Sequence, residues 1–175
     1  MYQGCNKTAL SSQKSIADSF YALLLEKDYS KINICEICKR AQISRQTFYT
    51  LFSSKENIIH FILSNKYSFD PTKECHCKGQ PTLEELSLGF ASFIESRADF
   101  IKLLEKNKII YLLQESIYKD LKCCQSKNKD GDLTVDFIAA GLTTIAKHYL
   151  MDNASWSNKE LSDTILRLFS GDFFK

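Results

Sequence analysis

Between Asn33 and Lys55, polar side chains suited to touching nucleic acid alternate with apolar ones at helical spacing. Ser44, Arg45, Gln46, Thr47, Tyr49 and Thr50 fall on one side of a short segment whose other side carries Phe48 and Phe52. Arginine can pair with the edge of guanine and glutamine with that of adenine. Threonine and tyrosine reach phosphates or a thymine methyl. Asn33 and Ser44 stand where helices are expected to begin, and the unpaired amides there favour phosphate. Lys55 opens the next helix, where its ammonium suits the DNA backbone. The chemistry these residue types serve is recognition.

That chemistry needs elements to hold it. Asn33 precedes Ile34, with Glu36 three residues on, a capping-box-like start with asparagine in the usual serine or threonine place. The helix it opens runs to about Ala41 and buries Ile34, Ile37, Cys38 and Ala41. Gln42-Ile43 make a tight turn, and Ser44 caps a second helix, Arg45 to about Phe52. Ile37, Ile43, Phe48 and Phe52 point into a three-helix core. Two short helices with a tight turn at 33–52 form a helix-turn-helix, whose second helix presents its first turn to the base edges. Ser53 with Glu56 predicts another capping box, opening a helix to about Lys66 with Ile58, Ile59 and Ile62 inward. Upstream, residues 1–10 read as a flexible tail. Ser11 or Ser12 caps a first helix to about Lys27, with Ile16, Phe20, Leu23 and Leu24 on one face. Asp28 to Lys31 breaks that pattern.

The rest of the chain reads as helices too. Residues 67–80, with Pro71 and Gly79, are expected to be a loop. Pro81-Thr82 start a long helix through about Leu104, its apolar positions including Leu83, Leu86, Phe90, Phe93 and Ile94. Further helices are expected at about 107–124 and 132–151. Ser157 with Glu160 caps a last one ending near Ser170-Gly171. Val135, Ile138, Ala139, Leu142, Ile145 and Leu150 give the helix at 132–151 its apolar positions. No strand pattern and no repeat stands out.

Other chemistry finds less support. There is no glycine-rich phosphate loop, nucleophile elbow or histidine pair at metal-binding spacing, so an enzyme is not expected, and no cofactor or metal is assigned. Seven cysteines in 175 residues are conspicuous. Cys35-x-x-Cys38 has redox spacing, but Cys38 faces inward on a short helix. Cys75-His76-Cys77 and Cys123-Cys124 match no recognised zinc spacing, and cytosolic thiols are normally reduced. The N-terminus has no apolar signal core and no run approaches the ~20 apolar residues of a membrane span, so a cytoplasmic protein is expected. Residues 1–66 hold nine Lys/Arg against five Asp/Glu, and residues 67–175 hold fourteen against sixteen. A basic first third on a mildly acidic remainder suits a DNA reader joined to a part that does not touch DNA.

The stretch from Ile32 to Ile59 resembles the DNA-binding domain of the TetR/AcrR family, above all in Ser-Arg-x-Thr-Phe-Tyr-x-x-Phe-x-Ser-Lys-Glu at 44–56. With the first helix the resemblance covers about residues 11–65. It implies phosphate contacts for Tyr49 and Lys55, a place near backbone and bases for Thr47, and a groove-facing role for Arg45 and Gln46. Gln42 departs from the family, which usually has glycine in the turn. The stretch Phe137-Ile-Ala-Ala-Gly-Leu through Asp152-Asn153 is similar to the C-terminal core of the subgroup containing regulators of dihydroxyacetone kinase operons. The expected fold is all-α: an N-terminal three-helix DNA-binding domain with a helix-turn-helix at 1–66, and a C-terminal helical ligand-binding and dimerisation domain at 67–175. The resemblance implies a homodimer through about 132–151 and 157–170, a palindromic double-stranded DNA operator, repression as the default and release by a small-molecule effector. Phe90, Phe93, Phe100, Tyr111, Tyr118, Phe137 and Tyr149 are candidates to line an effector pocket. Two alternatives stand beside this: a co-activator responding to a protein partner, and a cytosolic thiol or metal sensor.

Overall fold

The computed structural model describes residues 6–64, 82–122, 131–151 and 156–171, and the chain divides into two compact units, Met1–Lys73 and Glu74–Lys175. The architecture is all-α. Pro71, Cys75, His76, Cys77, Gly79, Cys123, Cys124, Asp152 and Asn153, for which the sequence raises expectations, lie outside the described residues.

In the first unit α1 (Lys7–Glu26) leads through a 3₁₀ turn (Tyr29–Lys31) to α2 (Ile34–Arg40), α3 (Arg45–Leu51) and α4 (Lys55–Leu63). Helix α1 starts earlier than the serines at 11 and 12 suggest. The Asn6 side chain accepts from the Thr8 amide at 2.9 Å, so residues 7–10 are helix and not tail. Ile16, Phe20, Leu23 and Leu24 are buried as their spacing predicts, as are Ile37, Cys38, Phe48, Phe52, Ile58, Ile59 and Ile62. Ile34 is only half-buried. The capping box expected of Ser53 and Glu56 does not form. The N-cap of α4 is Ser54, and the Glu56 carboxylate instead accepts from the Tyr29 hydroxyl. The Asn33–Glu36 box does form, in both directions.

The turn between α2 and α3 closes without glycine. The Gln42 amide donates to Lys39 O at 3.3 Å and the Ile43 amide to Cys38 O at 3.0 Å, bonds that satisfy carbonyls at the helix end. That geometry holds Gln42 at φ 56°, left-handed backbone that a β-carbon disfavours. Replacing Gln42 with glycine removes the crowding but adds unfolded-chain entropy, so a net gain of roughly 0.5–1 kcal/mol is expected. Urea unfolding measures it. A loss of stability would mean that the glutamine side chain contributes more than the strain costs.

In the second unit α5 (Leu83–Lys106) packs along α8 (Asn158–Phe169), and α6 (Tyr111–Lys122) along α7 (Gly131–Met151), which also meets α5. Thr82–Glu85 and Ser157–Glu160 make capping boxes at the starts of α5 and α8. The buried face of α5 runs through Ser87, Ala91, Ile94, Ile101 and Leu104, while Leu83 and Leu86 are exposed. Small residues let α5 and α8 approach closely, and buried Ser87 and Ser162 share a 3.1 Å hydrogen bond between them. Helix α6 begins later than its apolar run suggests. Residues 107–110 serve to end α5, with Lys108 at φ 58° and the Ile109 amide donating to Leu104 O at 2.9 Å.

Candidate nucleic-acid interface

Helix α3 is two-faced. Phe48 is 0% exposed and Leu51 is buried, so the helix is pinned by its inner side. Arg45, Gln46, Tyr49 and Thr50 are exposed and Thr47 is half-buried, which places five of the eight expected contact residues on one outward surface. Tyr49 is 50% exposed, yet its ring meets Phe48 edge-on at 5.4 Å, so the phenol is held from below. Interaction with the neighbouring Tyr49 side chain, then with Cys35, raises the Arg45 pKa above its ordinary value.

Asn33 and Ser44 have local duties. Asn33 Oδ1 accepts from the Glu36 amide at 3.0 Å, and Ser44 Oγ from the Thr47 amide at 3.0 Å. The Ser44 and Thr47 hydroxyls also lie 2.9 Å apart, and Thr50 Oγ1 donates to Gln46 O at 3.0 Å. Ion pairs fix α2 against α1: Lys27 Nζ lies 2.5 Å from Glu36 Oε1, and Arg40 Nη1 lies 2.7 Å from Glu26 Oε1. The hydrogen bond from Lys27, then that from the Asn33 amide, holds the Glu36 carboxyl below the usual range.

Lys55 is placed differently. Its ammonium donates to Ile32 O at 2.8 Å and Tyr29 O at 3.2 Å, and sits 4.2 Å from the centre of the Tyr29 ring. Partial burial pulls its pKa below the ordinary lysine value.

One part of this surface does not follow from the motif. Asn6, Thr8 and Ser12 of the start of α1 border an open polar cleft of about 420 Å³ with Gln46, Thr47 and Thr50 of α3. Its signal in the sequence is Asn6, a good N-cap two residues before Thr8.

The pair at 35 and 38 splits: Cys35 is exposed and Cys38 buried. Burial, then the neighbouring Cys35, pushes the Cys38 thiol up, away from the thiolate that reactivity needs.

In the second unit the seven candidate pocket aromatics go to separate places. Phe100 is core and Phe90 stacks on Phe93 at 5.8 Å. Tyr111 and Tyr118 edge an open cleft between α6 and α7 with Asp136. Tyr149 meets Trp156 edge-on at 6.3 Å in another cleft, between α7 and α8, and Phe137 is 67% exposed. No helix among the described residues is long and apolar enough to cross a membrane.

Known proteins resemble the chain in sequence over part of its length and in fold over most of it. Residues 18–61 match the family model of bacterial regulatory proteins of the tetR family. Over 62 residues the chain is 34% identical to the HTH-type dhaKLM operon transcriptional activator DhaS of Lactococcus lactis subsp. lactis (strain IL1403), a match covering 35% of this chain and 33% of that relative. The aligned region thus spans about a third of the curated relative's length. A TetR transcriptional regulator from Streptococcus agalactiae 2603V shares the fold, with a TM-score of 0.56 at 19% identity over 93% of this chain and 96% of that one.

Proposed function

We propose that the chain is a DNA-binding transcription regulator of the TetR type, as its match to that family's model over residues 18–61 supports, and that it binds a palindromic duplex as a homodimer, through one α3 in each of two major-groove half-sites. Arg45 and Gln46 read base edges, while Thr47, Tyr49 and Thr50 hold the backbone. The observation that carries this reading is the outward polar face of α3, with Arg45, Gln46, Tyr49 and Thr50 exposed, standing on fully buried Phe48. The Glu74–Lys175 unit supplies the dimer contact through α7 and α8, and a small-molecule effector bound there favours a conformation that fits the operator poorly. Bound across a promoter, such a dimer represses.

A second reading keeps the DNA contact and makes the dimer a co-activator that docks a protein partner. Two observations favour it. The relative that is 34% identical over 62 residues is named an activator. Leu83, Leu86, Phe90 and Phe93 form an incompletely buried apolar stripe along α5 at helical spacing.

Selection of bound sequences from random duplex DNA, with the unaltered chain and with Arg45→Ala, tests the proposal. A two-fold symmetric site should emerge, and the variant should lose information at the same position in each half. A bidentate arginine–guanine pair discriminates by about 1–3 kcal/mol, roughly 5- to 150-fold per half-site. If the variant binds more weakly but keeps every base preference, Arg45 is not a reader. If the unaltered chain enriches nothing, sequence-specific binding by the chain alone is wrong.

A further inference from the structure

Lysine is an odd choice for the first residue of a helix, because the exposed amides there carry partial positive charge. Lys55 takes that position in α4. Its side chain turns away from its own helix start and crosses to the end of the 3₁₀ turn between α1 and α2. There it meets the opposite charge: the carbonyls of Ile32 at 2.8 Å and Tyr29 at 3.2 Å, with the face of the Tyr29 ring 4.2 Å from the nitrogen. An ammonium has three N–H bonds. Two carbonyls and one π face account for all three.

The partners of this ammonium are anchored in turn. Tyr29 donates its hydroxyl to Glu56, the residue after Lys55, and its ring meets fully buried Phe20 of α1 edge-on at 6.3 Å. Ile32 is 2% exposed and immediately precedes Asn33, the N-cap of α2. The lysine therefore sits where α1, the turn, the start of α2 and the start of α4 meet. Shifting the turn would shift Asn33, and α2 carries α3 through the bonds that close at Gln42 and Ile43.

From this geometry we infer that Lys55 is a positioning residue, which locks the turn before the helix-turn-helix onto the start of α4, and not a phosphate contact as the sequence resemblance implies. The inference deepens the proposed DNA-binding function and rests on it only for its effect on affinity. A phosphate contact leaves an ammonium exposed and mobile. Here it is partly buried, pinned to backbone and lowered in pKa by the loss of water.

The test uses the full chain as Lys55→Met and Lys55→Arg, with the unaltered protein and Arg45→Ala alongside. Two quantities are measured: the melting midpoint, and the slope of log affinity against log salt for a random-sequence duplex. Methionine keeps an apolar stem and removes the donors. A clamp predicts that Lys55→Met lowers the midpoint by about 5 °C or more. It also predicts about tenfold weaker DNA binding, measured well below both midpoints, with the salt slope unchanged. Lys55→Arg, which keeps charge and donors, should recover most of both losses. A phosphate-binding role predicts the reverse: an unchanged midpoint and a slope reduced by about 0.9 for each phosphate no longer neutralised. A reduced slope, with or without a lower midpoint, overturns the inference, as does a variant unchanged in both. If the unaltered chain binds no DNA, the proposed function fails, while the midpoint of Lys55→Met still judges the clamp.

Discussion

Phe48→Ala abolishes DNA binding by unfolding the first unit, and leaves the second unit's helices in place. Phe48 is 0% exposed and lies on the inner side of the recognition helix. Its ring sits 6.1 Å from that of Phe52, which meets Phe61 edge-on at 5.6 Å. One aromatic chain therefore joins α3 to α4. Truncation to alanine removes that area and leaves a cavity, at about 3–5 kcal/mol for a buried phenylalanine. Phe48 is packed among other large buried side chains, Phe20, Phe52 and Phe61 among them, so the cavity opens in the middle of the core, and a domain of ordinary stability has only about 5–15 kcal/mol in all. Circular dichroism through a urea titration should show the unaltered chain's first transition moved far toward zero denaturant. Phe48→Leu, which keeps most of the volume, should cost about 1–2 kcal/mol and retain DNA binding. Should Phe48→Ala unfold within about 1 kcal/mol of the unaltered chain, the helix is held by something other than this cluster. Nothing on the outer face changes in this experiment, so it separates the residues that support α3 from those it presents.

That separation is also where sequence and structure agree best. The outward set at 45, 46, 49 and 50 and the inward pair Phe48 and Phe52 follow from helical periodicity, and periodicity survives because the first unit packs its helices around one core. The caps at Asn33, Ser44 and Ser157 are legible because their bonds are local, closing within three residues. What departs from expectation is decided by partners distant in sequence. Glu56 has the right offset from Ser53 for a capping box, but Tyr29, 27 residues upstream, claims its carboxylate. Lys55 has a type and place that suit phosphate, but the carbonyls that take its ammonium are 23 and 26 residues away. The apolar pattern on α5 points to Leu83 and Leu86, yet the packed side is the one with Ser87 and Ala91. Helix α8 comes close enough there to prefer small residues, and spacing alone carries no information about the neighbour. The seven pocket candidates illustrate the same limit. Aromatic type marks a side chain as worth burying, and three-dimensional packing decides with which others.

Breaking the proposed dimer is the second large effect expected, and the face to alter is a stripe on α7. Leu133, Phe137, Ala140, Thr144, His148 and Met151 recur at spacings of four, three, four, four and three, one helical face. Leu133 is 75% exposed, Phe137 67% and Met151 41%, whereas the opposite face, with Val135, Ala139, Leu142 and Ala146, is fully packed. A helix with one satisfied apolar side and a second, exposed one is suited to a partner. A second copy fits, because two-fold symmetry sets the same stripe against itself, and half-buried Ala140 at its middle leaves room for close approach. Helix α8 continues the surface, with Thr164 and Leu168 bordering the cleft that also holds His148 and Trp156. Phe137→Asp places a carboxylate in each half of that interface, so the expected product is a monomer by sedimentation. Its helicity and melting at high dilution should match the unaltered chain, since the residue carries little of the unit's own core. Losing the link between two heads removes the effective concentration that one bound half-site confers on the other. Affinity for a symmetric site should then fall by about 10²- to 10⁴-fold. A Phe137→Asp protein that still sediments as a dimer would move the interface off this face. A monomer that binds as tightly as before would show that one head suffices, and that the palindrome is not what the protein reads.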